Sequence, residues 1–225
     1  MNENTYVGSC NYKLVIFDLD GTLLDTIGDL AAAGNHALAE MGLPQHGTEA
    51  FKHFVGNGIP KLIERMLPAG HSAQDEERAL DIFSSYYGEH KTDLTAPYDG
   101  MCELVRELGA RGVICTCNTN KAHEFSVALI KQFYGDGIRD VIGAGIGFPT
   151  KPSPEAAREL MRRYGANARS TLYVGDSDVD MMTARSAGVD ACGALWGFRG
   201  RAELESFNPR RLAENARELR KIILG

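Results

Sequence analysis

Short runs of β-branched and apolar residues alternate with helical stretches along most of this chain, and the runs end in polar or glycine-containing turns. That alternation constrains the fold more than any other feature. Parallel strands need long crossovers, and the sheet they form is covered by helices on both faces. The first run, Lys13-Leu14-Val15-Ile16-Phe17, stops at Asp18-Leu19-Asp20-Gly21-Thr22. Residues 113–117, a weaker run at 141–143, 171–174 and 189–195 read as the later strands. Helical patterns fall between them. One covers 100–108 with Asp99 as N-cap. A second opens with Ser153 as N-cap and Pro154 at the first helical position. A third runs over 177–187 and stops at Gly188.

One region breaks the alternation. From about 25 to 95 only helical patterns occur: Ile59, Leu62, Ile63, Met66 and Leu67 recur at helix spacing, as do Ala79, Ile82, Phe83 and Tyr86. The expectation is an α/β protein with a Rossmann-like, doubly wound parallel sheet core formed by 1–24 and 96–225. An all-helical cap, 25–95, is inserted into it.

The composition is that of a globular protein, with 44% hydrophobic and 24% charged residues. The net charge of -6 lacks the basic excess of a nucleic-acid binder. No apolar stretch approaches a bilayer span, and the polar residues 1–11 lack a signal-peptide core, so a cytoplasmic protein is expected. The five cysteines, Cys10, Cys102, Cys115, Cys117 and Cys192, are odd in number and irregularly spaced. They read as small buried hydrophobes in a reducing compartment.

Ligands of an open parallel sheet bind at the carboxyl ends of its strands. Four such places carry matched groups here: Asp18 and Asp20; Asn118-Thr119-Asn120-Lys121; Lys151; and Gly175-Asp176-Ser177-Asp178-Val179-Asp180. Carboxylates, a hydroxyl and a lysine converging on one point suit phosphoryl transfer. A metal and a lysine would neutralise the phosphate so that an anionic nucleophile can approach.

In this order and spacing, the four segments resemble the motifs of the haloacid dehalogenase superfamily, most closely its phosphoglycolate phosphatase branch. The resemblance implies catalytic roles for four residues. Asp18 would be the nucleophile that forms an aspartyl-phosphate, and Asp20 the general acid and base. Thr119 would be a phosphate ligand and Lys151 a charge-balancing cation. Asn118 stands where an apolar residue is usual, which leaves Thr116 as a second candidate, although the Thr-Asn-Lys run favours Thr119. Gly21 and Asn120 would help bind substrate. Mg2+ would be held by Asp18, the Asp20 backbone carbonyl and Asp176, with Asp180 in its outer shell or holding Lys151. The stretch from Phe54 to Arg65 resembles the cap segment of the same branch, and Asn57, Gly58 and Lys61 are its candidate substrate ligands. Trp196 matches a family feature and reads as a packing residue.

Asp20 argues for phosphoester cleavage, because a halide leaving group needs no proton. The expected activity is hydrolysis of 2-phosphoglycolate or a similar small phosphorylated metabolite, by a monomer or homodimer that binds neither nucleic acid nor membrane. The alternatives are a phosphatase for a sugar phosphate, nucleotide or pyrophosphate, and a β-phosphoglucomutase-like isomerase.

Overall fold

The structure is a computed structural model and describes residues 11–225. The polar leader up to residue 10, Cys10 included, lies outside the described residues. The central strand β1 (Leu14–Phe17) pairs in parallel with β4 (Ile114–Ala122) on one side and β6 (Thr171–Gly175) on the other. With β5 (Val141–Ala144), β7 (Asp190–Ala194) and β8 (Arg211–Ala213) the sheet has six strands in the order β5-β4-β1-β6-β7-β8. The chain winds outward from β1 through β4 to β5, then crosses back to β6. The topological switch point therefore lies between β1 and β6, where such sheets place their ligands.

The two faces of β1 follow from the period-2 alternation of its side chains. Val15 and Phe17 join a core with α5 (Met101–Ala110), α6 (His123–Tyr134) and α10 (Ala216–Leu224). Leu14 and Ile16 point the other way, toward α7 (Glu155–Arg163), α8 (Asp178–Ala187) and α9 (Arg201–Ser206). All four are completely buried, worth about 1.5–3 kcal/mol for each large apolar side chain. Cys115 and Cys117 share the Val15 face, and the four described cysteines are free thiols.

Between the first two sheet strands the chain forms α1 (Ile27–Glu40), α2 (Thr48–Phe54), α3 (Ile59–Met66) and α4 (Ala73–His90). These helices gather a separate apolar cluster around Phe51, Leu62, Met66, Phe83 and Tyr87. Two short strands, β2 (Leu24–Asp25) and β3 (Ala96–Pro97), pair antiparallel where this helical cap leaves and rejoins the sheet. The Asp29 carboxylate ties the junction by accepting from the Leu94 and Thr95 amides at 2.9 and 2.8 Å. Neither β2, β3 nor the edge strand β8 is expected from sequence, because two or three residues are too few to show a period.

Local chemistry shifts several expected boundaries. Gly100, at φ +76°, occupies the N-cap of α5 in place of Asp99. Pro154 caps α7, one residue later than expected, while the Ser153 hydroxyl accepts from the Glu155 amide. Ser177 caps α8, and Gly188 ends it in the left-handed conformation, as expected.

Candidate active site

Pairing of β1 with β6 sets Phe17 beside Val174, so the two segments that follow leave the sheet together. The Asp18 amide donates to the Val174 carbonyl at 2.9 Å, and the Leu19 amide donates to Asp18 Oδ1 at 2.7 Å. Asp176 comes from the neighbouring strand end. Its Oδ1 accepts from Thr22 Oγ1 at 3.3 Å and its Oδ2 from the Phe198 amide at 2.7 Å. Gly21 makes this approach possible: it sits at φ +82°, and a Cβ there would lie 2.3 Å from Asp176 Oδ2. Its own amide is occupied by the Leu24 carbonyl at 2.9 Å, so Gly21 makes room rather than presenting an N–H to substrate.

Lys151 is buried and bridges two carboxylates, Asp18 Oδ1 and Asp180 Oδ1, both at 2.7 Å. Asp180 lies in the first turn of α8. Its other oxygen, Oδ2, accepts from the Ser177 amide and hydroxyl at 3.2 and 2.6 Å. Both Asp180 oxygens thus have protein partners, and the residue holds Lys151 in place. Asp20 is held separately, by Thr26 Oγ1 at 2.7 Å and by Lys121 Nζ at 3.0 Å.

Charge is unbalanced in this pocket. One oxygen from each of Asp18, Asp176 and Asp180 lies within 4.8 Å of the other two, and all three residues are buried. Burial, then Asp180, push the Asp18 carboxyl up to about 7, with Lys151 opposing. Burial, then Asp180 and Asp18, push Asp176 well above the carboxylate range, against the Phe198 amide and Lys151. Burial works against the Lys151 charge, but Asp18 and Asp180 outweigh it and hold the ammonium well above its ordinary value. Two of the four carboxylates, Asp18 and Asp180, share Lys151, Asp20 has Lys121, and the bonds to Asp176 come from uncharged donors. Four carboxylates against two ammonium groups leave two negative charges, and the donors are all oxygen. The site fits a hard divalent cation.

A family model described as haloacid dehalogenase-like hydrolase matches residues 15–194. The chain belongs to the haloacid dehalogenase-like hydrolases. Within this family it is similar to proteins named phosphoglycolate phosphatase. The one from Pseudomonas putida is 37% identical over 213 residues, 92% of this chain and 78% of that protein. The one from Vibrio parahaemolyticus is 32% identical over 222 residues, 94% and 96% of the two. A crystal structure of a predicted phosphoglycolate phosphatase from Haemophilus somnus superposes with a TM-score of 0.88 at 27% identity, covering 96% of this chain and 99% of that one. As in other phosphatases of this family, a small phosphorylated substrate and a divalent metal are at home in such a site.

The cavity over the carboxylates in this hydrolase lies between sheet and cap. It is lined by Asp18, Asp20, Lys151 and Asp176 from below and by Val55, Gly58, Ile59 and Leu62 from above. Its volume is about 30 Å³, room for a water or two. Gly58 belongs to the lining, as expected; at φ +87° it brings the cap loop against the sheet, and a Cβ there would be 3.2 Å from the Asn120 carbonyl. Asn120 also lines the cavity, but its amide is fully engaged. Oδ1 accepts from the Lys151 amide at 2.7 Å, and Nδ2 donates to the Lys151 and Gly56 carbonyls at 3.1 and 3.0 Å. It fixes the lysine loop rather than presenting its amide to a ligand.

Two expected cap ligands stand outside the lining. Lys61 is bound to Glu64 at 2.6 Å, and Asn57 Oδ1 accepts from Arg65 Nη2 at 2.7 Å. The helix phase explains Lys61: α3 turns Leu62, Ile63 and Met66 inward, so Lys61 and Glu64 fall on the solvent side. Thr119 is buried beneath the lining, and its Oγ1 accepts from the Lys121 amide at 3.2 Å. Thr116 donates to the Val15 carbonyl inside the sheet, which disposes of it as the alternative. Trp196 packs against the core with its Nε1 donating to the Thr22 carbonyl at 3.0 Å.

Sequence reasoning missed Lys121 and the pair Phe198 and Arg199, all of which line the cavity. Arg199 donates to the Lys52 and Val55 carbonyls at the end of α2 and pairs with Glu203 at 3.3 Å. Lys121 carries a signal in its place beside Thr119. Phe198 and Arg199, in an irregular loop, carry none.

Proposed function

We propose that the chain is a Mg2+-dependent phosphatase of small phosphomonoesters, with 2-phosphoglycolate as its substrate. The observation that carries this reading is the arrangement of Asp18. Both bonds to its carboxylate fall on Oδ1, from Leu19 N and Lys151 Nζ, which leaves Oδ2 for phosphorus. Asp18 attacks and forms an aspartyl-phosphate while the P–O bond to the leaving alcohol breaks, and Asp20 delivers the proton to that oxygen. Asp20 then takes a proton from water as the water attacks the aspartyl-phosphate and frees Asp18. Lys151, fixed by Asp180 and Asn120, neutralises charge on Asp18 and the phosphoryl oxygens. Asp18, the Asp20 carbonyl and Asp176 would hold a Mg2+, which would supply the remaining positive charge.

Residues 25–95 act as a cap unit on a core whose described parts are 11–24 and 96–225. The relatives named phosphoglycolate phosphatase support 2-phosphoglycolate as the ester. No described helix is long and apolar enough to cross a membrane, and a cytoplasmic location is part of the proposal.

The test is phosphate release from 2-phosphoglycolate and from a nucleoside monophosphate, with Mg2+ or with EDTA, by wild type and Asp18→Asn. Turnover should require Mg2+, prefer phosphoglycolate and vanish in the variant. Metal-independent turnover, or substantial activity in Asp18→Asn, would sink the mechanism.

A further inference from the structure

Asp20 is gripped by groups from separate parts of the chain. Thr26, fully buried just ahead of α1, donates to Oδ1 at 2.7 Å. Lys121, at the end of β4, sets its ammonium 3.0 Å from Oδ1 and 3.3 Å from Oδ2, and its side chain is only 1% exposed. The same ammonium lies 4.6 Å from the ring centroid of Tyr87, on cap helix α4. Tyr87 is fully buried and held from both sides, stacked on Phe83 at 5.6 Å and met edge-on by Phe125 at 5.4 Å.

A lysine buried this deeply is costly to desolvate, and an apolar residue would fill the space with less penalty. Its placement across both oxygens, with Thr26 on one of them, fixes the plane of the carboxylate. The aromatic face behind it is a favourable seat for a desolvated cation. Charge balance for the phosphate and nucleophile is already provided by Lys151, which touches Asp18. Lys121 touches Asp20 instead.

We propose that Lys121 is the positioning residue for Asp20, and that Tyr87 makes this positioning depend on the cap standing over the core. The proposal rests on the phosphatase reading of the same site and deepens it. As the Asp18–phosphorus bond forms and the bond to the leaving oxygen breaks, the Asp20 proton passes to that oxygen. An alkoxide needs this proton; p-nitrophenolate leaves readily without it. Misplacing Asp20 must therefore penalise alkyl esters selectively, whereas a general loss of structure penalises alkyl and aryl esters together.

The experiment compares kcat/KM for 2-phosphoglycolate and p-nitrophenyl phosphate at saturating Mg2+ in wild type, Lys121→Met and Tyr87→Leu, and for Lys121→Met in an Asp20→Asn background. This parameter covers the steps through departure of the leaving group. Lys121→Met should lower the alkyl-to-aryl ratio at least about tenfold, within the roughly 10²–10⁴-fold range of general acid catalysis. Tyr87→Leu should lower it in the same direction by a smaller factor, and in the Asp20→Asn background Lys121→Met should leave it where it is. An unchanged ratio in Lys121→Met, or a further fall in the Asp20→Asn background, overturns the proposal. An unchanged ratio in Tyr87→Leu overturns its dependence on the cap. If Lys121→Met does not fold, Lys121→Gln carries the same test, and Tyr87→Leu keeps every charge in place. Turnover that still requires Mg2+ and Asp18 while the ratio stays constant rejects the role of Lys121 and leaves the phosphatase reading standing. Loss of those two requirements in wild type rejects the reading itself.

Discussion

Lys151→Met removes the cation that Asp18 and Asp180 share. Each 2.7 Å contact carries about 6 kcal/mol of attraction at an effective dielectric near 20. Desolvation of the buried groups offsets most of that, and breaking a buried pair from one side costs about 3–5 kcal/mol net. For a chain of this size each kcal/mol moves the midpoint by about 2–4 °C, so the metal-free variant should melt about 10 °C lower at pH 8. The loss must shrink in acid. Asp18, pushed up to about 7, already carries a proton at pH 5.5, and a neutral carboxyl has little need of the ammonium. Mg2+ should repair part of the damage, because removing Lys151 leaves three uncompensated negative charges where there were two. The Mg2+-induced rise in melting temperature should accordingly be larger in the variant than in wild type. Thermal melts in EDTA and in Mg2+ at pH 5.5 and 8 check all three statements. A loss below about 3 °C at pH 8, or one of equal size at both pH values, would refute the claim that Lys151 offsets an excess of buried carboxylate.

Three further outcomes are expected. In wild type the Mg2+-induced stabilisation should grow from pH 5.5 to 8, since a cation must displace the proton of a carboxyl titrating at about 7. The raised carboxyl favours the metal-free fold below its unfolded value near 4, and that contribution fades as pH climbs toward 7; a Mg2+ shift that is flat or declining with pH in thermal melts contradicts this. Gly21→Ala should abolish the Mg2+ response and lower kcat/KM more than about 100-fold while costing only a few degrees in EDTA, because its Cβ enters the Asp176 carboxylate; a wild-type Mg2+ titration would refute it. Lys61→Ala should leave KM for 2-phosphoglycolate unchanged, since its ammonium is bound to Glu64 outside the cavity; a selective rise in steady-state assays would return Lys61 to the site.

The parts of this molecule legible in its sequence are those written locally. Leu14 to Phe17 are all buried because they form the central strand, and that same continuous apolar run is what announces the strand. Asp18 and Asp176 directly follow strands, so locating the strand ends locates the carboxylates. Lys121 and Asp20 are 101 residues apart, Asn120 and Gly56 64, and Arg199 and Val55 144; no spacing rule covers such pairs. Lys61 differs in kind. Its outward direction follows from the phase of Leu62, Ile63 and Met66, all visible in sequence.

The loop after β7 shows why the cap side of the site is harder to read than the sheet side. The Phe198 amide binds Asp176, a member of the carboxylate cluster, while the Phe198 ring packs against the apolar cluster of the cap. Its neighbour Arg199 holds the last carbonyls of α2, and positive charge suits a helix C-terminus. Two adjacent residues thus touch the cation site and the cap at once. Arg199 thus belongs to the boundary between the sheet's loops and the cap, although it lies far from every cap residue in sequence.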